Sequence, residues 1–186
     1  MRRPRRAAPT MTPLTEMPVE LILDDGVHDE VGDALNALPA AAELDAVLAA
    51  LWAEHAPRRA IADVCVRVCT METSAGLNGG YRQREGATNV LSFPAALAEL
   101  PAEVVAELGP DAASLGDLAI SAAVVVREAA EQDKPIHAHF VHLFVHGVLH
   151  LLGMDHETDD EAAAMEALEI KVLAKLDIPD PYAPCN

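Results

Sequence analysis

The chain has 186 residues and a mass of 19.7 kDa, enough for one domain with a sizeable core, and its 51% apolar content argues against wholesale disorder. Lys and Arg number 13 against 30 Asp and Glu, a formal charge of −17, and Arg2, Arg3, Arg5 and Arg6 take four of those bases at the start, so nucleic-acid binding that rests mainly on phosphate neutralisation is excluded. Three cysteines exclude a disulfide-stapled scaffold, no apolar run reaches the length of a membrane-spanning helix, and the basic start lacks the apolar stretch of a secretory signal, so the expected compartment is the cytoplasm.

Residues 1–17 hold Arg, Pro, Thr and Ala without periodicity and are expected to form a disordered arm, with a single domain over residues 18–183. Val19 to Leu23 alternates as a half-buried strand does. A loop through Gly26 and Gly32 then leads to a helix with one apolar stripe, Leu44, Val47, Leu48, Leu51 and Trp52, ended by Pro57. In the strand Ala62 to Cys69, Val64, Val66 and Val68 share one face; Asp63, Cys65, Arg67 and Cys69 share the other, where the cysteines read as a core or half-buried thiol pair rather than metal ligands. Gly76, Gly79 and Gly80 punctuate the next segment, which ends in Tyr81-Arg82-Gln83-Arg84. Asn89 to Phe93 is a short strand, and Pro94 places it at a sheet edge.

Residues 95–114, Ala-rich and acidic, suggest a short helix and a loop. Leu115 to Ser121 reads as a strand and Ala122 to Gln132 as a helix. Pro135 opens a further helix that runs to about Leu152, with Gly153 as its left-handed stop. Thr158-Asp159-Asp160-Glu161 is a capping box for a last helix with the stripe Met165, Leu168, Val172 and Leu176; Cys185 lies in the tail. Strands come early and helices late, so the expected class is α+β: a small mixed sheet of about four strands packed with helices.

Six of the eight histidines fall between 137 and 156. His146 and His150, four apart on a helix, project from one face and can reach one metal ion. Gly153 lets the chain turn back, so His156 can add a third nitrogen at the end of this central helix. Three neutral imidazoles leave a divalent ion its full charge and one open position, as in a catalytic site. Zinc is the first expectation, with nickel, copper or iron as alternatives. Asp155 and Glu157 flank His156 and could orient the imidazoles. His142 reads as a packed or hydrogen-bonded neighbour, and His137 and His139 as surface residues without a role. The zinc-peptidase pattern His-Glu-x-x-His needs a glutamate where this chain has Gly147. Asp117 is a candidate base or supporting carboxylate, or a turn cap.

The segment from His146 to His156 (HGVLHLLGMDH) resembles the YbeY family of bacterial metal-dependent endoribonucleases, also described as ribosomal RNA maturation factors. Leu77-Asn78 through Tyr81-Arg82 to Thr88–Pro94, Leu115-Gly116-Asp117, and Asp180-Pro181-Tyr182 agree with it, although Gly79 to Gly86 is richer in glycine than the family stretch. The resemblance implies an α+β fold around a cleft, a metal held by His146, His150 and His156, and a catalytic arginine at Arg82. It implies cleavage of single-stranded RNA at the 3′ end of small-subunit ribosomal RNA and action on defective ribosomes. The partners so implied are RNA and the small ribosomal subunit with its assembly proteins, and neither DNA nor a membrane. The 2′-hydroxyl of RNA could serve as an internal nucleophile where no glutamate base is present. Without the resemblance, Arg82 reads as half of a surface salt bridge. The alternatives are a zinc peptidase-like hydrolase and a non-catalytic ribosome-assembly factor.

Overall fold

The computed structural model describes residues 19–55, 63–95 and 114–183. The arm, Pro57, the segment 96–113 and Cys185 lie outside them. In chain order the elements are β1 (Val19–Leu23), α1 (Val27–Val31), a 3₁₀ turn (Gly32–Ala37), α2 (Ala41–His55), β2 (Val64–Cys69), α3 (Met71–Arg82), β3 (Val90–Pro94), β4 (Gly116–Ser121), α4 (Ala122–Glu131), α5 (Ile136–Leu151) and α6 (Asp159–Ala174).

The sheet order is β1-β2-β4-β3, with β1, β2 and β4 parallel and β3 antiparallel at the edge. This is the expected mixed four-stranded sheet of an α+β protein, and Pro94 ends an edge strand, where its missing N–H costs least. The alternation in β2 sorts its faces. Val64, Val66 and Val68 are buried in the core, whereas Cys65 and Arg67 face outward beside Asp117, Ala119 and Ile22 of the neighbouring strands. Helices α2 and α5 close the core face. Gly116 is obligatory: its φ is +128°, and a Cβ there would collide with the carbonyl oxygen of Phe93.

α5 runs through the middle of the molecule. Phe140, Val141, Phe144, Val145, Val148 and Leu149 are all fully buried, which explains why this helix is apolar almost all round. It packs tightly on the sheet at Gly147, where an added Cβ would stand 2.9 Å from Leu118 Cδ2 and 3.2 Å from Val90 Cγ2. Pro135 caps this helix rather than opening its first turn, and Gly153 turns the chain with φ +83°. The capping box forms on α6, with Thr158 Oγ1 accepting from Glu161 N and Glu161 accepting from Thr158 N at 3.0 Å.

Two segments form helix where the sequence pattern indicates a loop or no element. The stretch through Gly26 and Gly32 is α1 and the 3₁₀ turn, organised around fully buried Val27. The glycine-punctuated stretch is α3, a three-turn helix despite glycines that cost about 1 kcal/mol each relative to alanine. Thr70 caps its start by accepting from Thr73 N. Ser74 Oγ donates to Thr88 O at 2.8 Å and Asn78 Nδ2 to Gly86 O at 2.9 Å, so polar anchors to the following loop hold the helix. Among the described residues no single helix is long and apolar enough to cross a membrane.

Candidate metal centre

Successive turns of α5 carry His139, His142, His146 and His150 along one side. After Leu152, the Gly153 turn closes with Met154 N donating to Leu149 O at 3.0 Å. The chain then reverses, and Asp155 Oδ1 accepts from the His156 backbone N at 2.8 Å. His146, His150 and His156 each offer a ring nitrogen, and these atoms lie within 4.8 Å of one another. The Nε2 atoms of His146 and His150 are 3.1 Å apart. His146 and His150 are half-buried and His156 is exposed, so the cluster opens to solvent on one side.

The electrostatics favour a neutral His150. The His150 pKa is lowered, by burial first and then by His146 and His156, with Asp155 opposing. Neutral imidazole is the form that binds a metal. Three imidazoles converging without an acidic ligand fit a divalent ion with affinity for nitrogen, and their number leaves a coordination position for a substrate oxygen.

A carboxylate does brace the cluster, but from α6. Glu169 is fully buried; its Oε1 lies 2.8 Å from His146 Nδ1, its Oε2 lies 3.0 Å from His142 Nε2, and Tyr182 donates its hydroxyl to Oε2. Burial alone would raise its pKa. The hydrogen bonds from His142, His146 and Tyr182 outweigh that and lower it to about 2. Asp155 and Glu157, the expected orienting acids, do not hydrogen-bond an imidazole: Asp155 binds backbone, and Glu157 is exposed. Glu169 was invisible in the sequence because it lies among acidic residues of an amphipathic helix; its spacing of four from Met165 is the one hint. His142 is the hydrogen-bonded neighbour expected of it. His139 is not a surface residue: it is buried, with Nε2 3.0 Å from Glu128 Oε2, and Glu128 also accepts from Asn89 Nδ2. His137 is partly exposed and pairs with Glu43 across to α2.

Arg82 ends α3 at the rim of a cleft of about 710 Å³ on the open face of the sheet. Tyr81, Phe93, Cys65, Arg67 and Asp117 share its lining, and none of the three histidines does. Tyr81 and Phe93 meet edge-to-face with centroids 4.8 Å apart. Arg67 is bound to Asp24 at 2.7 Å, whereas no described carboxylate pairs with Arg82, which sets aside the surface salt bridge for these residues. Asp117, on β4, faces this cleft and touches none of the three histidines; it does not cap the following turn. The two thiols sit on one face of β2 as expected, one half-buried and one in the core: Cys65 lines the cleft, while Cys69 is buried against Leu91 and Ala119, and burial pushes its pKa up to about 11.

The missing glutamate has a structural cause. Gly147 faces Leu118 and Val90, and a side chain there would enter the sheet rather than the histidine cluster.

The sequence pattern of the endoribonuclease YbeY family matches residues 33–177. The chain is 52% identical over 150 residues to the endoribonuclease YbeY of Xanthomonas axonopodis pv. citri, covering 79% of this chain and 89% of that one. It is 51% identical over 150 residues, with the same coverage, to that of Stenotrophomonas maltophilia, and 55% identical over 123 residues to that of Xanthomonas campestris pv. campestris, covering 66% and 73%. The fold is similar to the solution structure of TM1509 from Thermotoga maritima, with a TM-score of 0.50, 16% identity, and 89% and 99% of the two chains covered. The chain belongs to the endoribonuclease YbeY family.

Proposed function

We propose that this chain is a metal-dependent, single-strand-specific endoribonuclease of the cytoplasm, acting in maturation of the 3′ end of small-subunit ribosomal RNA and in ribosome quality control. Its partners are the small ribosomal subunit and its assembly proteins. The observation that carries the reading is the convergence of His146, His150 and His156 in a chain with this family membership. These three residues would hold one divalent ion, zinc first, and the ion would supply positive charge to the oxygens of a scissile phosphodiester.

The protein's own groups do the rest. Arg82, without a described carboxylate partner, offers a planar fork to the non-bridging phosphate oxygens, a geometry lysine does not reproduce. Gly147 leaves no side-chain base where peptidases carry one, which counts against peptide hydrolysis and suits a substrate whose 2′-hydroxyl is its own nucleophile. With a formal charge of −17 the chain attracts RNA weakly, so delivery by a ribosomal partner is part of the proposal. Nanomolar affinity of the arm-less protein for bare RNA at physiological salt would contradict that part.

The test offers purified protein a single-stranded RNA and an unfolded protein substrate, with and without chelator, beside His146→Ala as the contamination control. RNA cleavage that stops with chelator and is absent from His146→Ala is expected. Arg82→Lys should lose cleavage while keeping its metal. Proteolysis would favour the peptidase, and metal binding without cleavage an assembly factor.

A further inference from the structure

We propose that Glu169 is the positioning residue of the histidine cluster: it sets the tautomer of His146 and ties the C-terminal segment to the back of the site through Tyr182. The inference rests on the reading that His146, His150 and His156 hold a metal ion.

An ionised carboxylate only accepts hydrogen bonds, so the group 2.8 Å from Glu169 Oε1 must be an N–H on His146 Nδ1. In a neutral ring that leaves the lone pair on Nε2, the atom that stands 3.1 Å from His150 Nε2. The other tautomer would set a lone pair against the carboxylate and aim an N–H into the cluster, where a ligand atom is needed. Glu169 thereby keeps His146 in the one neutral form that can donate to an ion among the three rings. The other oxygen has its own donors. His142 gives its Nε2–H to Oε2 at 3.0 Å while its Nδ1 stays buried without a described partner, and the Tyr182 hydroxyl donates to the same atom. Tyr182 belongs to the segment that follows α6, and Lys134 Nζ donates to the carbonyl of Pro181 at 2.6 Å beside it. Fully buried, with both oxygens engaged, Glu169 has little freedom to turn away from His146.

The full chain, freed of metal and labelled with ¹⁵N-histidine, reads the tautomer directly by NMR at about pH 8, where free histidine is neutral. The wild type should show His146 with its hydrogen on Nδ1. Zinc affinity, measured by competition with a chromophoric chelator, should fall about 10- to 100-fold in Glu169→Gln. Tyr182→Phe should weaken it by less, and Met165→Ala, which removes a core side chain from the same helix, should lower the melting temperature without moving the tautomer or the affinity. A hydrogen on His146 Nε2 in the wild type, or Glu169→Gln binding zinc within about twofold of wild type, overturns the inference. If Glu169→Gln fails to fold, the wild-type tautomer and Tyr182→Phe decide. Wild-type zinc affinity in His146→Ala would instead overturn the metal reading itself, whatever the Glu169 variant does.

Discussion

The two helices that carry the proposed functional side chains are held by different forces. α5 is wedged between the sheet, α2 and α6; its histidines ride on one side of a rod whose other sides are fully buried Phe140, Val141, Phe144, Val145 and Leu149. α3 carries three glycines, buries only Ser74 and Asn78, and keeps its place through a Thr70 cap and three side-chain bonds to the loop after it. Burial without gaps gives α5 the positional precision that converging ligands demand. Polar tethers give α3 an end, Arg82, that is fixed in place but free to meet an extended substrate. The phosphate grip proposed for Arg82 tolerates more motion than three imidazoles set to converge on one ion would.

Substitutions separate the two modes. Gly147→Glu, which writes the peptidase motif into α5, drives a carboxylate against Leu118 and Val90 and should cost on the order of 5 kcal/mol, seen as loss of soluble folded protein and no gain of proteolysis. Phe144→Ala opens a cavity on the buried side of α5, opposite the histidine row, and should lower unfolding stability by about 3–5 kcal/mol in denaturant titration. Asn78→Ala strands the carbonyl of Gly86 and should cost about 1–2 kcal/mol; hydrogen exchange should quicken over 71–90 while amides in α5 keep their protection. Uniform quickening across both helices would refute the division between them.

The smallest expected effect is a pH dependence at the joint between α4 and α5. The Glu128 pKa is lowered, chiefly by its hydrogen bond with His139, with burial opposing and Asn89 assisting. The folded pKa therefore lies below the unfolded one. Its contribution to stability is present above the ordinary carboxylate range and fades as the pH falls through the lowered value. Glu128→Gln should flatten that part of the stability profile, measured as unfolding midpoints between neutral and acid pH.

Much of the histidine site was legible because its geometry is local. The spacing of His146, His150, Gly153 and His156 depends only on helix pitch and one left-handed turn, both of which occur as read. The α6 capping box is local in the same way. Less local features were missed. The sequence assigns no element to α3, because three glycines lower its intrinsic helix propensity and the anchors that compensate lie up to 14 residues away. The sequence places His139 at the surface because nothing nearby in the chain shows that Glu128, itself held by Asn89, meets it.

By itself, the order of residues determined the α+β class, the mixed sheet with its edge proline, the three convergent imidazoles and the family resemblance: short-range periodicity and spacing encode all of these. Tertiary packing alone decided that a buried glutamate on the last helix faces His146, that Gly147 must be bare to let α5 meet the sheet, and that Arg82 shares a cleft with Phe93 and Asp117. Each of those joins residues from different elements, and such contacts leave no period in the chain for a reader to find.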